Sequence, residues 1–163
     1  MIQRIQSVFL FLVAASLITL TFFPLWNKVD PAKSEMVKLT VMELTHTKVD
    51  IDTHEEQLIA QTPTFYIALV ALIAAGIALY SISQYKNRLL QMKLGALNSL
   101  VMAGALGLSV YFIFQGEKMI APEQQGNYLF GFYLFVSAML FNTLANRFIR
   151  KDEQLVKSAD RIR

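Results

Sequence analysis

The chain lacks cysteine entirely, and four long stretches lack every charged side chain and histidine. Without cysteine, disulfides, thiolate metal sites, iron–sulfur clusters and thiol catalysis are excluded. A bilayer core is crossed by about 20 apolar residues and penalises a charge at its centre, so such stretches predict membrane-spanning helices. The four stretches are residues 5–27, 57–85, 94–116 and 124–146.

The missing ionisable groups also restrict the function. Proton relays, ion-coupled transport and voltage sensing normally depend on charged groups inside the membrane, and none is present in these stretches. Both histidines lie outside them, which excludes a bis-histidine haem within the bilayer. No phosphate loop, nucleophile elbow or HExxH helix occurs. We therefore predict a protein that is not an enzyme and has no catalytic residue and no cofactor.

What the sequence does contain is an excess of apolar residues, at 55% of 163 positions. This is more than an ordinary globular domain carries and predicts a single integral membrane domain over residues 1–163. The predicted spans are about residues 5–25, 64–83, 94–114 and 122–146, with an external loop at 27–62 and a cytoplasmic tail at 147–163.

The distribution of charge predicts the orientation. Segments on the side of the two termini sum to +7, whereas the opposite side sums to −4. The positive-inside rule then places both termini in the cytoplasm of a bacterial inner membrane. Because the basic residues are dispersed among short segments, nucleic acid is not an expected partner.

The loop at 27–62 shows two short runs of period-two alternation. Residues 37–41 and 47–52 alternate β-branched or apolar side chains with polar ones, which predicts two short strands with a turn near Thr45 and His46. We therefore predict an all-α membrane protein, a four-transmembrane-helix bundle with a small external β-hairpin-like segment between helices 1 and 2.

Capping signals in the same loop favour two short helical turns. Asp30 followed by Pro31 resembles an N-cap and a first helical residue. Thr53 and Glu56 have the spacing of a capping box, which predicts a helical turn over residues 54–61.

Small and amide side chains within the spans predict helix packing. Small residues let neighbouring helices approach closely, and amides can bond across helices for about 0.6–2 kcal/mol. The small residues of span three pack either against span two or around a partner helix or lipid. The predicted packing residues are Gly95, Ser99, Ala103 and Gly107 in span three, Ala71 and Ala75 in span two, and the amide pair Asn98 and Asn142.

One group in the loop has the side chains of a metal site. His46, Asp50, Asp52 and His54 share one parity along the predicted second strand and offer imidazole and carboxylate ligands. Lys48 has the same parity, which favours a solvated polar face over a metal site.

The opening residues 1–7 (MIQRIQS), the segment 22–26 (FFPLW) and the four-span layout resemble a family of membrane proteins known from Bacteroidetes and classed as a domain of unknown function. The resemblance covers essentially the whole chain. It implies an inner-membrane location and implies no activity, cofactor or binding residue.

The spans contain small and amide side chains suited to helix packing, but no catalytic or ion-handling groups. This combination predicts a non-enzymatic accessory or scaffold subunit. Its expected partners are membrane lipid and either other membrane protein subunits or a second copy of the chain. The alternative is a binder or carrier of an apolar molecule, such as lipid or quinone, within the bilayer.

Overall fold

The computed structural model describes residues 2–49, 56–85, 87–120 and 124–160. In these residues, four consecutive strands separate the first long helix from the second, and a short fifth strand precedes the last helix. The elements are α1 (Ile2–Thr19) with a short 3-10 turn (Leu20–Phe22), β1 (Trp26–Asp30), β2 (Glu35–Leu39), β3 (Glu43–Val49), β4 (Glu56–Pro63), α2 (Phe65–Ser83), α3 (Arg88–Glu117), β5 (Asn127–Tyr128) and α4 (Phe130–Asp160).

Within the described residues, four helices are long and apolar enough to cross a membrane. α3 begins at Arg88, before the predicted span, and α4 begins at Phe130 rather than near residue 122. The predicted tail is continuous with α4 as far as Asp160. The ends of α3 and α4 that carry Arg88 and Arg150 are called the basic end below, and the opposite ends are called the sheet end.

The prediction of an all-α fold with a small hairpin is wrong. The strands form one five-stranded antiparallel sheet in the order β4-β3-β2-β1-β5. Strand β1 was not predicted because Trp26 and Asn27 close the first charge-free stretch, at the boundary between the predicted span and the predicted external loop. Strand β5 has only two residues and pairs with a segment about 100 residues away in sequence, which no local pattern can reveal.

The predicted turns also need correction. The chain reverses between β2 and β3 at Thr40, whose Oγ1 accepts hydrogen bonds from the backbone N–H groups of Met42 (3.2 Å) and Glu43 (3.1 Å). The turn near Thr45 and His46 is therefore wrong, since both lie inside β3. Residues 56–61 form part of β4 rather than the predicted helical turn, because pairing with β3 outweighs the local capping signal.

Asp30 does cap a reversal, but the reversal is a hairpin turn and not a helix. Its Oδ1 accepts a hydrogen bond from the backbone N–H of Ala32 at 3.0 Å. Ser34 completes the turn with φ of 54°, in the left-handed region. The turn sets the register in which Trp26 pairs with Leu39 and Lys28 with Val37.

The helices contact one another in cyclic order, since α1 packs on α2 and α4, and α3 also packs on α2 and α4. On α2 the middle of the helix has small residues inside and large apolar ones outside, the arrangement expected where lipid replaces water. On α2 the buried face carries Ala71, Ala74, Ala75 and Ala78, whereas Leu72 is exposed. The sheet lies over the far end of α3, which β1 and β2 contact directly.

Candidate functional site

Trp26 fixes the sheet to the helices. The indole is fully buried between Gly116, in the last turn of α3, and Gly126, just before β5. A Cβ atom on Gly126 would lie 2.2 Å from Cζ2 of the ring, and one on Gly116 would lie 2.7 Å from Cζ3. Only glycine allows the ring to approach the backbone so closely at both positions.

Lys28 and Glu117 form a second link between the same elements. Lys28 Nζ donates to Glu117 Oε2 at 2.6 Å and to the Glu117 backbone oxygen at 2.9 Å. Glu117 Oε1 accepts from the backbone N–H of Gly126 at 2.8 Å. The Lys28 side chain is 1% exposed and that of Glu117 is 28% exposed. One carboxylate therefore connects β1, α3 and the segment that leads into β5.

The start of α2 is attached to the sheet as well. Thr64 is fully buried, donates its backbone N–H to the Met42 oxygen at 2.8 Å and donates Oγ1 to the Thr40 oxygen at 3.0 Å. Strand β4 runs into α2 across this residue. The β2–β3 turn is thus held at the point where the chain enters the second helix.

Sequence reasoning missed Trp26, Lys28 and Glu117 as a group. Trp26 lies between the predicted span and the predicted loop, and Lys28 and Glu117 were counted among the charges of the external side. The sequence of β1 carries no apolar alternation that would reveal the group, because Lys28 and Asp30 are buried while the apolar Val29 between them is exposed. A lysine on the buried side of a strand predicts a buried charged partner, but the sequence does not identify that partner.

Strand β4 forms a free edge of the sheet. In the described part of the chain it pairs only with β3, and nearly all of its eight residues are exposed. Leu58 is 57% and Ile59 is 51% exposed. Ile59 is the extra residue of an irregularity between the pairs His46–Ala60 and Thr47–Leu58. The outer side of β4 therefore offers backbone donors and acceptors next to two exposed apolar side chains.

A groove of about 370 Å³ lies where the sheet meets α2 and α3. Its wall is aromatic and apolar, and Gln115 donates a hydrogen bond to the Tyr111 hydroxyl at 2.7 Å. This sheet-side groove is lined by Leu44, Thr62, Pro63, Tyr66, Tyr111, Phe112, Gln115 and Met119.

Amides from several helices meet near the basic end. Gln6 donates to Gln91 Oε1 at 3.3 Å, and Gln91 donates to the Ser81 backbone oxygen at 2.8 Å. Asn142 donates to the Gly95 backbone oxygen at 3.1 Å and to Ser99 Oγ at 2.8 Å. The structure therefore joins α1 to α3, α2 to α3 and α3 to α4 through buried amide side chains.

The two predicted amides have different surroundings. Asn98 is 1% exposed, yet neither its Oδ1 nor its Nδ2 has a hydrogen-bond partner among the described residues. Asn142 makes its bonds to Gly95 and Ser99, not to Asn98. The two residues are both buried near the basic end but do not bond to each other as predicted.

This difference gives opposite expectations for two matched variants. Asn142→Leu should lower the free energy of unfolding by about 1 kcal/mol, because two interhelical bonds are lost. Asn98→Leu should leave stability unchanged or raise it, because an unpaired buried amide is replaced by an apolar group of similar size. Thermal unfolding in detergent checks the ranking, and greater destabilisation by Asn98→Leu would contradict it.

The small residues of α3 divide into two groups. Gly95 is buried beneath Asn146, whose Oδ1 would lie 1.8 Å from an added Cβ, and Ser99 bonds to Asn142. Ala103 and Gly107 are exposed. Ala71 and Ala75 of α2 are buried in the helix core.

Of the four predicted metal ligands, His46 alone lies within the described residues. His46 Nε2 lies 3.2 Å from Glu35 Oε2 on the adjacent strand. Asp50, Asp52 and His54 lie outside the described residues. In the part of the chain that the structure describes, no three histidine, aspartate or glutamate side chains come together.

Comparison with known proteins bears out the family resemblance. A search of curated proteins gives no match. A family described as a domain of unknown function (DUF4293) matches residues 2–162, almost the whole chain. The protein therefore belongs to this family.

Proposed function

We propose that this protein is a non-enzymatic accessory or scaffold subunit of a larger assembly in the bacterial inner membrane. It has both termini in the cytoplasm and its sheet outside, in keeping with the distribution of charge. The observation that carries the proposal is the exposed outer edge of β4 on a sheet that is otherwise fixed to the helices.

Buried contacts hold the sheet against the helices, and this makes the sheet suitable for docking. Trp26 and Lys28 connect β1 to the last turn of α3, and Thr64 connects the β2–β3 turn to the start of α2. A surface held in this way loses little conformational freedom on binding, which favours affinity. The sheet is therefore a preorganised binding surface.

The edge of β4 fits an extended segment of a partner protein. An added strand gains backbone hydrogen bonds, and side-chain contacts supply specificity. Natural sheets often protect a free edge with lysine, yet the only charged residue in β4 is Glu56. Leu58 and Ile59 supply the apolar contacts, and Pro63 limits pairing at the membrane end because it has no N–H.

Affinity purification from native membranes in mild detergent tests whether a partner protein docks on the edge of β4. The double variant Leu58→Glu/Ile59→Lys should lose at least tenfold of the co-purifying membrane protein, because both changes place charge where the partner must pack. Met42→Lys is the matched control, since Met42 is equally exposed in the β2–β3 turn but lies off the edge. Recovery of wild type as a free monomer, in detergent that preserves known complexes, counts against an accessory subunit.

The sheet-side groove favours a second candidate, a binder or carrier of lipid or quinone. Tyr66 and Tyr111 place ring faces and hydroxyls in a cavity at the membrane end of the sheet. Mass spectrometry of molecules extracted from the purified protein distinguishes the two candidates. Met119→Trp, just beyond the end of α3, fills this groove, whereas Leu97→Trp adds the same ring within α3, away from the groove. Loss of an extracted apolar molecule with the first variant alone would favour the carrier.

A further inference from the structure

A second groove, of about 260 Å³, lies between α3 and α4 at the basic end. One side is formed by Met92, Ala96 and Ser99 of α3, and the other by Asn146 and Arg150 of α4. It is separate from the sheet-side groove and from the free edge of β4. Polar and charged atoms therefore meet an apolar wall at the level where a membrane helix reaches the headgroups.

Arg150 is exposed and forms no ion pair within the described residues. By contrast, Arg88 at the same end is paired with Asp152 at 3.1 Å. Arg147 and Lys93 are also exposed there. An anion at the groove would meet one unpaired guanidinium directly and a positive surrounding field.

Asn146 supplies a neutral polar atom next to that charge. Its Oδ1 is buried against Gly95 and has no hydrogen-bond partner among the described residues. This Oδ1 atom has almost no exposed surface, so the amide must turn toward the groove to accept from a hydroxyl donor, and the cost of an unpaired buried acceptor favours that turn. The groove therefore suits a headgroup with both a phosphate and a hydroxyl.

The face of α3 that leads away from the groove is open. Ala103 and Gly107 continue the small side of the helix beyond Ala96 and are exposed. A Cβ atom added to Gly104 or to Gly107 would meet nothing within 4 Å. An acyl chain can lie along this path without displacing a side chain.

We propose that this groove is a binding site for an anionic phospholipid of the phosphatidylglycerol type. The phosphate pairs with Arg150, a glycerol hydroxyl donates to Asn146 Oδ1, and an acyl chain lies along Ala103 and Gly107. The charge complementarity selects lipid over a partner helix, since an apolar helix would leave Arg150 unpaired. The site does not depend on the accessory role proposed above.

Native mass spectrometry after delipidation and re-addition of defined lipid tests the site. Wild type should retain phosphatidylglycerol in preference to phosphatidylcholine. Arg150→Gln should weaken retention about fivefold, the equivalent of the ~1 kcal/mol that one basic residue contributes at an anionic surface. Arg147→Gln, which removes the same charge from the same helix outside the groove lining, should have little effect.

A second variant tests the groove without changing charge. Ala96→Leu should fill the groove and reduce retention. Gly76→Leu is its control, because it introduces the same side chain on α2, where an added Cβ would meet nothing within 4 Å. Equal losses with Arg147→Gln and Arg150→Gln would show diffuse attraction and overturn the site. Equal retention of the two lipids, or no effect of Ala96→Leu, would also overturn it, as would a second copy of the chain or a partner helix occupying the groove instead.

Discussion

Replacing Trp26 with alanine is expected to lower the free energy of unfolding by about 3–5 kcal/mol, the range for truncation of a fully buried aromatic residue. The ring fills the space between Gly116 and Gly126, so the variant leaves a void where three elements meet. Hydrogen exchange in detergent should show faster exchange in β1, β2 and β5 than in wild type. The helices should remain protected, because their contacts with one another do not involve Trp26.

Two further variants make this expectation specific. Gly126→Val should also destabilise these strands, but by overpacking and not by leaving a void. A Cβ at that position would overlap the indole. Phe22→Ala removes a ring that is largely exposed and should change stability by less than about 0.5 kcal/mol. If Trp26→Ala behaved like Phe22→Ala, the indole would not be the anchor of the sheet.

Replacing Glu117 with alanine is expected to cost about 3 kcal/mol, at the lower end of the range for breaking a buried ion pair because Glu117 is partly exposed. Among the described residues, the variant leaves buried Lys28 with only the backbone oxygen of residue 117 as a partner. It also removes the acceptor of the Gly126 N–H. Thermal unfolding in detergent measures the loss.

A double variant separates the charge from the packing. Adding Lys28→Met to Glu117→Ala should recover most of the lost stability, because the uncompensated buried charge disappears while the aliphatic stem is kept. Glu43→Ala is a control at a glutamate of β3, outside this ion pair, and should have a small effect. Additive losses in the double variant would show that the two side chains do not act as a pair.

The spanning helices could be predicted from sequence because the bilayer imposes a local rule. Every residue in a span must be apolar or internally bonded, so the absence of charge in residues 65–83 was sufficient. The sheet could not be predicted in the same way, since strand pairing is a property of distant segments. Asn127 and Tyr128 carry no strand signal, and they join the sheet only because they lie beside Trp26 and Asn27.

The candidate site was hidden for a related reason. Lys28 looks like an ordinary loop lysine until Glu117 is brought beside it by folding. Gly116 and Gly126 belong to no sequence motif. Both are needed because the Trp26 ring packs directly against their backbone. In contrast, burial of Ala71 and Ala75 followed from a local preference for small residues between membrane helices.

Photocrosslinking in native membranes tests whether the free edge of β4 on the anchored sheet docks a partner protein. A photoreactive side chain at Ile59 is compared with one at Val29, an exposed residue of β1 in the same sheet. We expect a discrete adduct with another membrane protein from position 59, at several times the yield from position 29. Adducts only with lipid, only with a second copy of the chain, or in equal yield from both positions would contradict docking of a partner protein at the edge of β4.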